Sequence, residues 1–124
     1  MNKGYRELFQ MVARNGAINA EKVIDTLKQD KEKDHAKEIE SMLAMRDSFN
    51  SIEDKLLNNE ELDKSEYVKL YAGAVVSRNL MKKNTDTWTA VVKEYDDNLI
   101  PKLYEVANES DEEKRTALID EFFS

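Results

Sequence analysis

The stretch KQDKEKDHAKEIE, residues 28–40, interrupts the hydrophobic pattern of the chain and thereby decides how it folds. It holds nine charged residues and the only histidine. If the apolar face of the preceding segment continued through it, Lys31, Asp34 and Glu38 would point into the core, where charged groups need partners. We therefore predict an exposed joint, with one helix ending near Lys31 and the next beginning near Asp34. The alternative is one continuous helix that projects into solvent.

Before the joint, the sequence predicts two helices. The first is carried by apolar residues at the i, i+3, i+4, i+7 spacing of an amphipathic helix: Tyr5, Leu8, Phe9, Val12 and Ala13. It is expected to stop at Asn15-Gly16, because glycine adopts the left-handed conformation that ends helices at no steric cost. The second is expected to begin at Asn19 as N-cap, with Ile18 and Val23 as a hydrophobic staple.

After the joint, helical spacing resumes at Ile39 and continues to Leu57. A break is predicted at residues 58–61. Residues 63–66 then have the form of a capping box, with Leu62 placed to staple onto Tyr67. The helix that follows is expected to continue to Lys83-Asn84. Its apolar face includes Val68 near the start and Val75 and Val76 near the middle.

A further helix is predicted after a cap at Thr85 or Asp86, with a stripe from Trp88 to Val106. Pro101 falls inside this stripe, and proline in a helix interior costs about 3 kcal/mol. Because the apolar phase continues across it, we predict one long helix kinked near Pro101, with a full break as the alternative. The S-x-x-E capping box at residues 110–113 predicts a short final helix.

Together these patterns predict an all-α fold, an antiparallel bundle of five or six helices, in a single domain over residues 1–124. No segment alternates with period two for long enough to indicate a strand. The absence of cysteine excludes disulfides and thiolate chemistry, and the net charge is −7. Because basic residues are interleaved with acidic ones, we expect no nucleic-acid partner. Apolar runs are short and no secretory signal is evident, so we expect no membrane contact and a cytoplasmic location.

Catalytic and metal-binding patterns are weak. His35 and Glu38 have the i, i+3 spacing of carboxylate metal sites, but the ferritin-like di-iron pattern needs two Glu-x-x-His pairs, and this chain has one histidine. The serines lack a glycine-flanked elbow, and the glycines are too isolated to form a phosphate loop. We therefore expect a non-enzymatic protein without cofactor, catalytic residues or metal. A metal-dependent enzyme built on His35 and Glu38 is kept as an alternative.

The candidate partner-binding residues are small or aromatic. Ala72-Gly73-Ala74 forms a low surface that can either pack within the bundle or seat a partner. Tyr104 lies off the main stripe and is expected to be exposed. Phe122 and Phe123 at the C-terminus are expected to dock one into the bundle and one onto a partner.

These residues predict an interaction module that binds another protein or a second copy of itself, in the role of an adaptor, inhibitor, immunity factor or assembly subunit. The acidic excess raises one alternative, an inhibitor that mimics the charge of nucleic acid. Its densest carboxylate run is residues 109–113, and a helix cap also explains acids at that position.

Overall fold

The computed structural model describes residues 3–84 and 89–123, and over these residues the protein is all-α, as predicted, with no strand. Helix α1 spans Lys3–Gln29, α2 Ala36–Leu57 and α3 Lys64–Asn84. Helix α4 consists of Thr89–Glu94, a π turn Tyr95–Leu99 and Ile100–Asn108, and α5 spans Glu112–Phe123. The predicted cap at Thr85 or Asp86, Trp88 and the side chain of Phe123 lie outside the described residues.

Helices α1 and α2 form an antiparallel pair. Arg14 near the middle of α1 bonds Glu53 late in α2, with 3.1 Å between Nη2 and Oε1, whereas Glu21 further along α1 bonds Arg46 earlier in α2, at 2.6 Å. The contact further along α1 is therefore made to a residue nearer the start of α2, which shows that the two helices run in opposite directions. The charged joint between the two helices is therefore the turn of a helical hairpin.

Helices α3 and α4 are antiparallel by the same reasoning. Arg78 late in α3 pairs with Asp96 early in α4 at 2.7 Å, and Tyr71 meets Tyr104 with ring centroids 5.5 Å apart. Helix α1 packs on α2, α3 and α5, whereas α2 and α3 touch each other very little. These contacts give the antiparallel bundle that the sequence predicted.

The joint is confirmed: residues 30–35 are not helical, and α2 begins at Ala36. Asp34 Oδ1 accepts a hydrogen bond from the Ala36 N–H at 3.0 Å, and the carbonyl of His35 accepts one from Ile39 N–H at 2.9 Å. The first bond satisfies an amide group that a helix start leaves open, and the second is the first backbone bond of α2. The charged run is thus the exposed connection between two helices.

The predicted stop at Asn15-Gly16 is wrong, because α1 runs through both residues and Asn19 lies inside it instead of capping a second helix. Gly16 has no left-handed backbone conformation. A Cβ at this position would lie 2.7 Å from the ring of Phe49 on α2, closer than real contacts allow. Gly16 therefore serves close packing between two helices, and Ile18 and Val23, predicted to form a staple, are both about half exposed.

The turn from α2 to α3 confirms the predicted break and capping box. Asn59 has a left-handed φ of 58°, and the N–H of Glu60 bonds the carbonyl of Lys55 at 2.8 Å, which is the Schellman arrangement. At the start of α3, Asp63 Oδ1 accepts from the Glu66 N–H at 2.8 Å, and Glu66 Oε1 accepts from the Asp63 N–H at 2.9 Å. This reciprocal pair is the capping box.

The residues on either side of Pro101 are helical, as predicted, and the turn before it is a π turn, Tyr95–Leu99. The N–H of Ile100 bonds the carbonyl of Tyr95, five residues back. Proline normally clashes with the carbonyl four residues before it and cannot donate a hydrogen bond to it. The π turn shifts the hydrogen-bond register by one residue just before the proline, and the apolar residues on both sides of it, Leu99 and Leu103, are fully buried.

The cap of α5 is displaced by one residue from the prediction. Asp111, not Ser110, accepts the hydrogen bonds at this helix start: its Oδ1 lies 2.9 Å from the Glu113 nitrogen and 3.2 Å from that of Lys114. Aspartate adds a negative charge to the positive end of the helix dipole, which favours it over serine here. The acidic run at residues 109–113 is therefore built into a helix start.

The core lies where α1, α3, α4 and α5 meet, with the second half of α2 closing one side. Its largest fully buried side chains come from every helix: Phe9, Ile24, Ile52, Tyr67, Leu70, Tyr95, Leu99, Leu103 and Phe122. Three residues that the sequence pattern placed on inward faces are instead about half exposed: Leu57, Val68 and Val76. A core-facing stripe covers little more than a quarter of a helix surface, so residues at its margin reach solvent.

Candidate partner-binding groove

An apolar groove lies between α2 and α3, with α1 as its floor. It has a volume of about 560 Å³ and is open to solvent along one side. The groove exists because α2 and α3 each pack on α1 but scarcely on each other. Its lining is almost entirely carbon.

The floor of the groove is made of small residues and one aromatic ring. Gly16 and Ala20 of α1 and Gly73 of α3 surround Phe49, whose ring is 5% exposed. A Cβ on Gly73 would lie 3.1 Å from this ring, compared with 2.7 Å for Gly16. Both glycines therefore let the three helices pack closely around the same ring.

The rim of the groove consists of aliphatic side chains that are about half exposed. Val23 of α1 is 44% exposed, Met45 of α2 45% and Val76 of α3 49%. Met42 and Ala72 continue the same surface. Single exposed apolar residues are ordinary on a protein surface, but residues from three helices that converge on one concave face are typical of a binding site.

One end of the groove opens into a polar pocket of about 370 Å³, shared between α2 and the start of α3. Its carboxylates are engaged: Glu66 binds Lys55 at 2.9 Å and Asp47 binds Arg46 at 3.1 Å. Lys69 stands where the two cavities meet and donates one long hydrogen bond, 3.3 Å, to Ser48 Oγ. Its ammonium has no ion-pair partner among residues 3–84 and 89–123.

The structure brings two of the six predicted partner-binding residues together. Ala72 and Gly73 line the groove, whereas Ala74 is fully buried on the core side of α3. Tyr104 is exposed, as expected, but lies on α4 against Tyr71, outside the groove lining. Phe122 is 1% exposed and belongs to the core. Ala74 and Phe122 are therefore removed from the candidate surface.

Gly16, Phe49 and Met45 also line this site, although the sequence pattern did not predict them. A usable signal was present: Gly16 and Gly73 both interrupt otherwise good helix-forming segments, at a cost of about 1 kcal/mol each relative to alanine. Two such glycines predict close helix contacts. Which ring they contact depends on how the hairpins pair, and periodicity along the chain does not contain that information.

His35 lies in the exposed joint, between two carboxylates. Its Nε2 is 2.8 Å from Asp30 Oδ2, and its Nδ1 is 3.7 Å from Glu38 Oε2. The hydrogen bond that His35 Nε2–H donates to Asp30 is the main reason that the pKa of His35 is raised above 6.5, and the same bond lowers the pKa of Asp30. Among the described residues, no group of three or more His, Asp or Glu side chains is arranged to hold a metal ion.

The raised pKa of His35 predicts a small pH dependence of stability. The protonated ring is favoured in the folded state, so its contribution is complete below about pH 6.5, the unfolded value. It is lost as the pH rises through the folded pKa. We expect an NMR titration of the ring to give a pKa above 6.5, and His35→Gln to remove this part of the pH dependence. A pKa at or below 6.5 would show that the Asp30 contact is not maintained in solution.

Comparison with known protein families, with curated proteins and with solved structures finds no match to this chain. Within the described residues, no helix has an apolar stretch long enough to cross a membrane. The described residues therefore offer their geometry alone: a helical bundle with an apolar groove between α2 and α3.

Proposed function

We propose that this protein is a non-enzymatic interaction module that binds a partner protein through the groove between α2 and α3. The observation that carries this proposal is the convergence of Val23, Met45 and Val76, each about half exposed, over a floor cleared by two glycines. Leaving these side chains in water costs free energy that a partner recovers when it covers them.

The site supports binding better than catalysis. Its lining is apolar, and the carboxylates next to it are engaged in ion pairs or helix capping. General acid–base or nucleophilic chemistry requires a group within hydrogen-bond reach of a bound substrate. The lining offers only Asn19, Ser48 and Lys69 as polar side chains, and in the 3.3 Å hydrogen bond between Lys69 and Ser48 Oγ the lysine is the donor and not the base.

Two valines on α3 provide a matched test. Val76 lines the groove and is 49% exposed, whereas Val68 is 43% exposed on the same helix and lies outside the groove. Aspartate at either position remains at the surface, so both variants are expected to fold. Only Val76→Asp places a charge where an apolar partner surface would sit, and we expect it to raise the Kd by at least about tenfold, or 1.4 kcal/mol.

The experiment uses a photo-crosslinking amino acid at Ala72 in the native host. We expect one protein to be crosslinked from Ala72, at an undiminished level in the Val68→Asp background and at a level reduced at least fivefold in the Val76→Asp background. The captured protein is then purified, and its Kd is measured against both variants. Equal crosslinking in the two backgrounds, or no product from Ala72, would refute the proposed function.

A further inference from the structure

We infer that the groove receives an amphipathic helix of about four turns that carries an acidic residue at each end. This inference rests on the proposed function and specifies the partner segment. It is based on the charge of α3, which forms one wall of the groove. In a chain of net charge −7, α3 carries five basic residues and one acidic residue.

Lys69 lines the groove, and Lys83 lies about two turns of α3 beyond Val76, outside the groove lining. Lys69, Val76 and Lys83 follow each other at seven-residue spacing and therefore share one face of α3. At 1.5 Å per residue the two lysines stand roughly 20 Å apart along the helix, with Val76 midway between them. Like Lys69, Lys83 has no ion-pair partner among the described residues.

A helix fits this arrangement in length and in chemistry. Three apolar side chains at i, i+4 and i+7 cover about 10 Å, which is the distance along α3 from Lys69 to Val76. A helix that also reaches both lysines needs about fourteen residues. Carboxylates at its two ends then meet the ammonium groups in either orientation of the bound helix.

A second copy of this chain is a poorer occupant. Val23, Met45 and Val76 offer apolar surface on the order of a few hundred Å², which is a common size for a functional patch on a monomer. A standard interface covers about 800 Å² on each partner. The other half-exposed apolar side chains lie outside the groove lining, among them Met11, Val68 and Tyr104. A single inserted helix matches the available surface, and a flat dimer contact does not.

The test uses alanine-rich, fluorescein-labelled peptides of about four turns with leucines at the i, i+4, i+7 spacing. Three versions carry glutamate, glutamine or lysine at both ends, and a fourth carries glutamate with the leucine order scrambled. Binding to the full chain is measured by fluorescence anisotropy at low salt. We expect the glutamate peptide to bind at least fivefold more tightly than the lysine peptide and to lose binding when its leucines are scrambled.

Charge reversal on the protein gives the matched control. In a Lys69→Glu/Lys83→Glu double variant we expect the preference to reverse in favour of the lysine peptide, whereas Lys64→Glu, on the same helix but outside the face that Lys69 and Lys83 share, should leave it unchanged. Equal affinity for the glutamate and lysine peptides, or a lysine preference in the unmodified protein, would overturn the inference on charge.

The remaining outcomes separate this inference from the proposed function. If Ala72 crosslinks a partner in cells but no helical peptide binds, the helix inference is refuted and the proposed function stands. If neither occurs, both are refuted. Sedimentation velocity tests for a second copy of the chain as the occupant. If the protein self-associates, and if Val76→Asp abolishes the association while Val68→Asp preserves it, the inference of a helical partner would be overturned.

Discussion

Replacing Gly16 with valine is expected to lower the free energy of unfolding by about 3 kcal/mol, the largest loss that we predict for a single substitution. The first added carbon would already lie 2.7 Å from the buried ring of Phe49, and valine adds two more carbons behind it. The ring packs among α1, α2 and α3, and this overlap requires it to move further than the few tenths of an ångström that would relieve a contact of 3.1 Å. Urea denaturation followed by far-ultraviolet circular dichroism measures the loss.

The alanine variants of the two groove glycines form the matched control. Alanine gains about 1 kcal/mol of helix propensity over glycine at either position. At Gly16 we expect the overlap with Phe49 to exceed this gain and to leave a net loss of about 1 kcal/mol. At Gly73, where the nearest carbon is 3.1 Å away, a small shift of the ring relieves the contact, and we expect stability to change by less than about 0.5 kcal/mol.

A double-mutant cycle identifies the contact responsible. In a Phe49→Leu background the obstructing ring is gone, so Gly16→Val should cost at least about 1 kcal/mol less than in the unmodified chain. If Gly16→Val costs the same in both backgrounds, or if Gly16→Ala stabilises the protein, then α1 and α2 do not pack through this ring as described.

Phe122→Ala is expected to lower the free energy of unfolding by about 3 kcal/mol. The Phe122 side chain is 1% exposed, and its ring meets Tyr5 and Phe9 edge-on, with centroids 5.1 Å from each. It therefore fastens α5 to α1. Truncation leaves a cavity lined by two aromatic rings, and the loss is expected to appear first as faster amide hydrogen exchange throughout α5.

Tyr104→Ala is the control for Phe122→Ala. Tyr104 is an aromatic residue too, but it is 53% exposed and touches mainly the edge of Tyr71. We expect its replacement to cost less than about 1 kcal/mol and to leave exchange in α5 unchanged. If Phe122→Ala were as mild as Tyr104→Ala, the final helix would not be held to the bundle by this ring.

Local signals predicted most helix boundaries correctly, because caps and turns depend on neighbouring residues. The capping box at Asp63 and Glu66 and the left-handed Asn59 are examples, since each satisfies backbone groups within one turn. The charged joint was predictable for a related reason: a run of charges cannot be buried. The helix across Pro101 was predictable from its apolar phase, although the π turn that allows it was not.

The wrong predictions share one physical cause: each depends on contacts with residues that are distant in the sequence. Gly16 was predicted to end a helix, but its role depends on Phe49, thirty-three residues away in sequence. Val76 was predicted to face inward, but whether a residue at the margin of a stripe is covered depends on how closely the next helix approaches. The rim of the groove consists of residues at the margins of apolar stripes, and it was not predictable from the sequence. The small residues of the groove were partly predictable, from Ala72 and Gly73.

The most direct measurement is a methionine-methyl NMR titration of the full chain with the partner captured through Ala72. Met42 and Met45 line the groove, whereas Met11, as exposed as Met45, lies outside it. If the groove is the contact surface, the resonances of Met42 and Met45 shift on binding and that of Met11 does not. A shift of Met11, with Met42 and Met45 unmoved, would contradict the account.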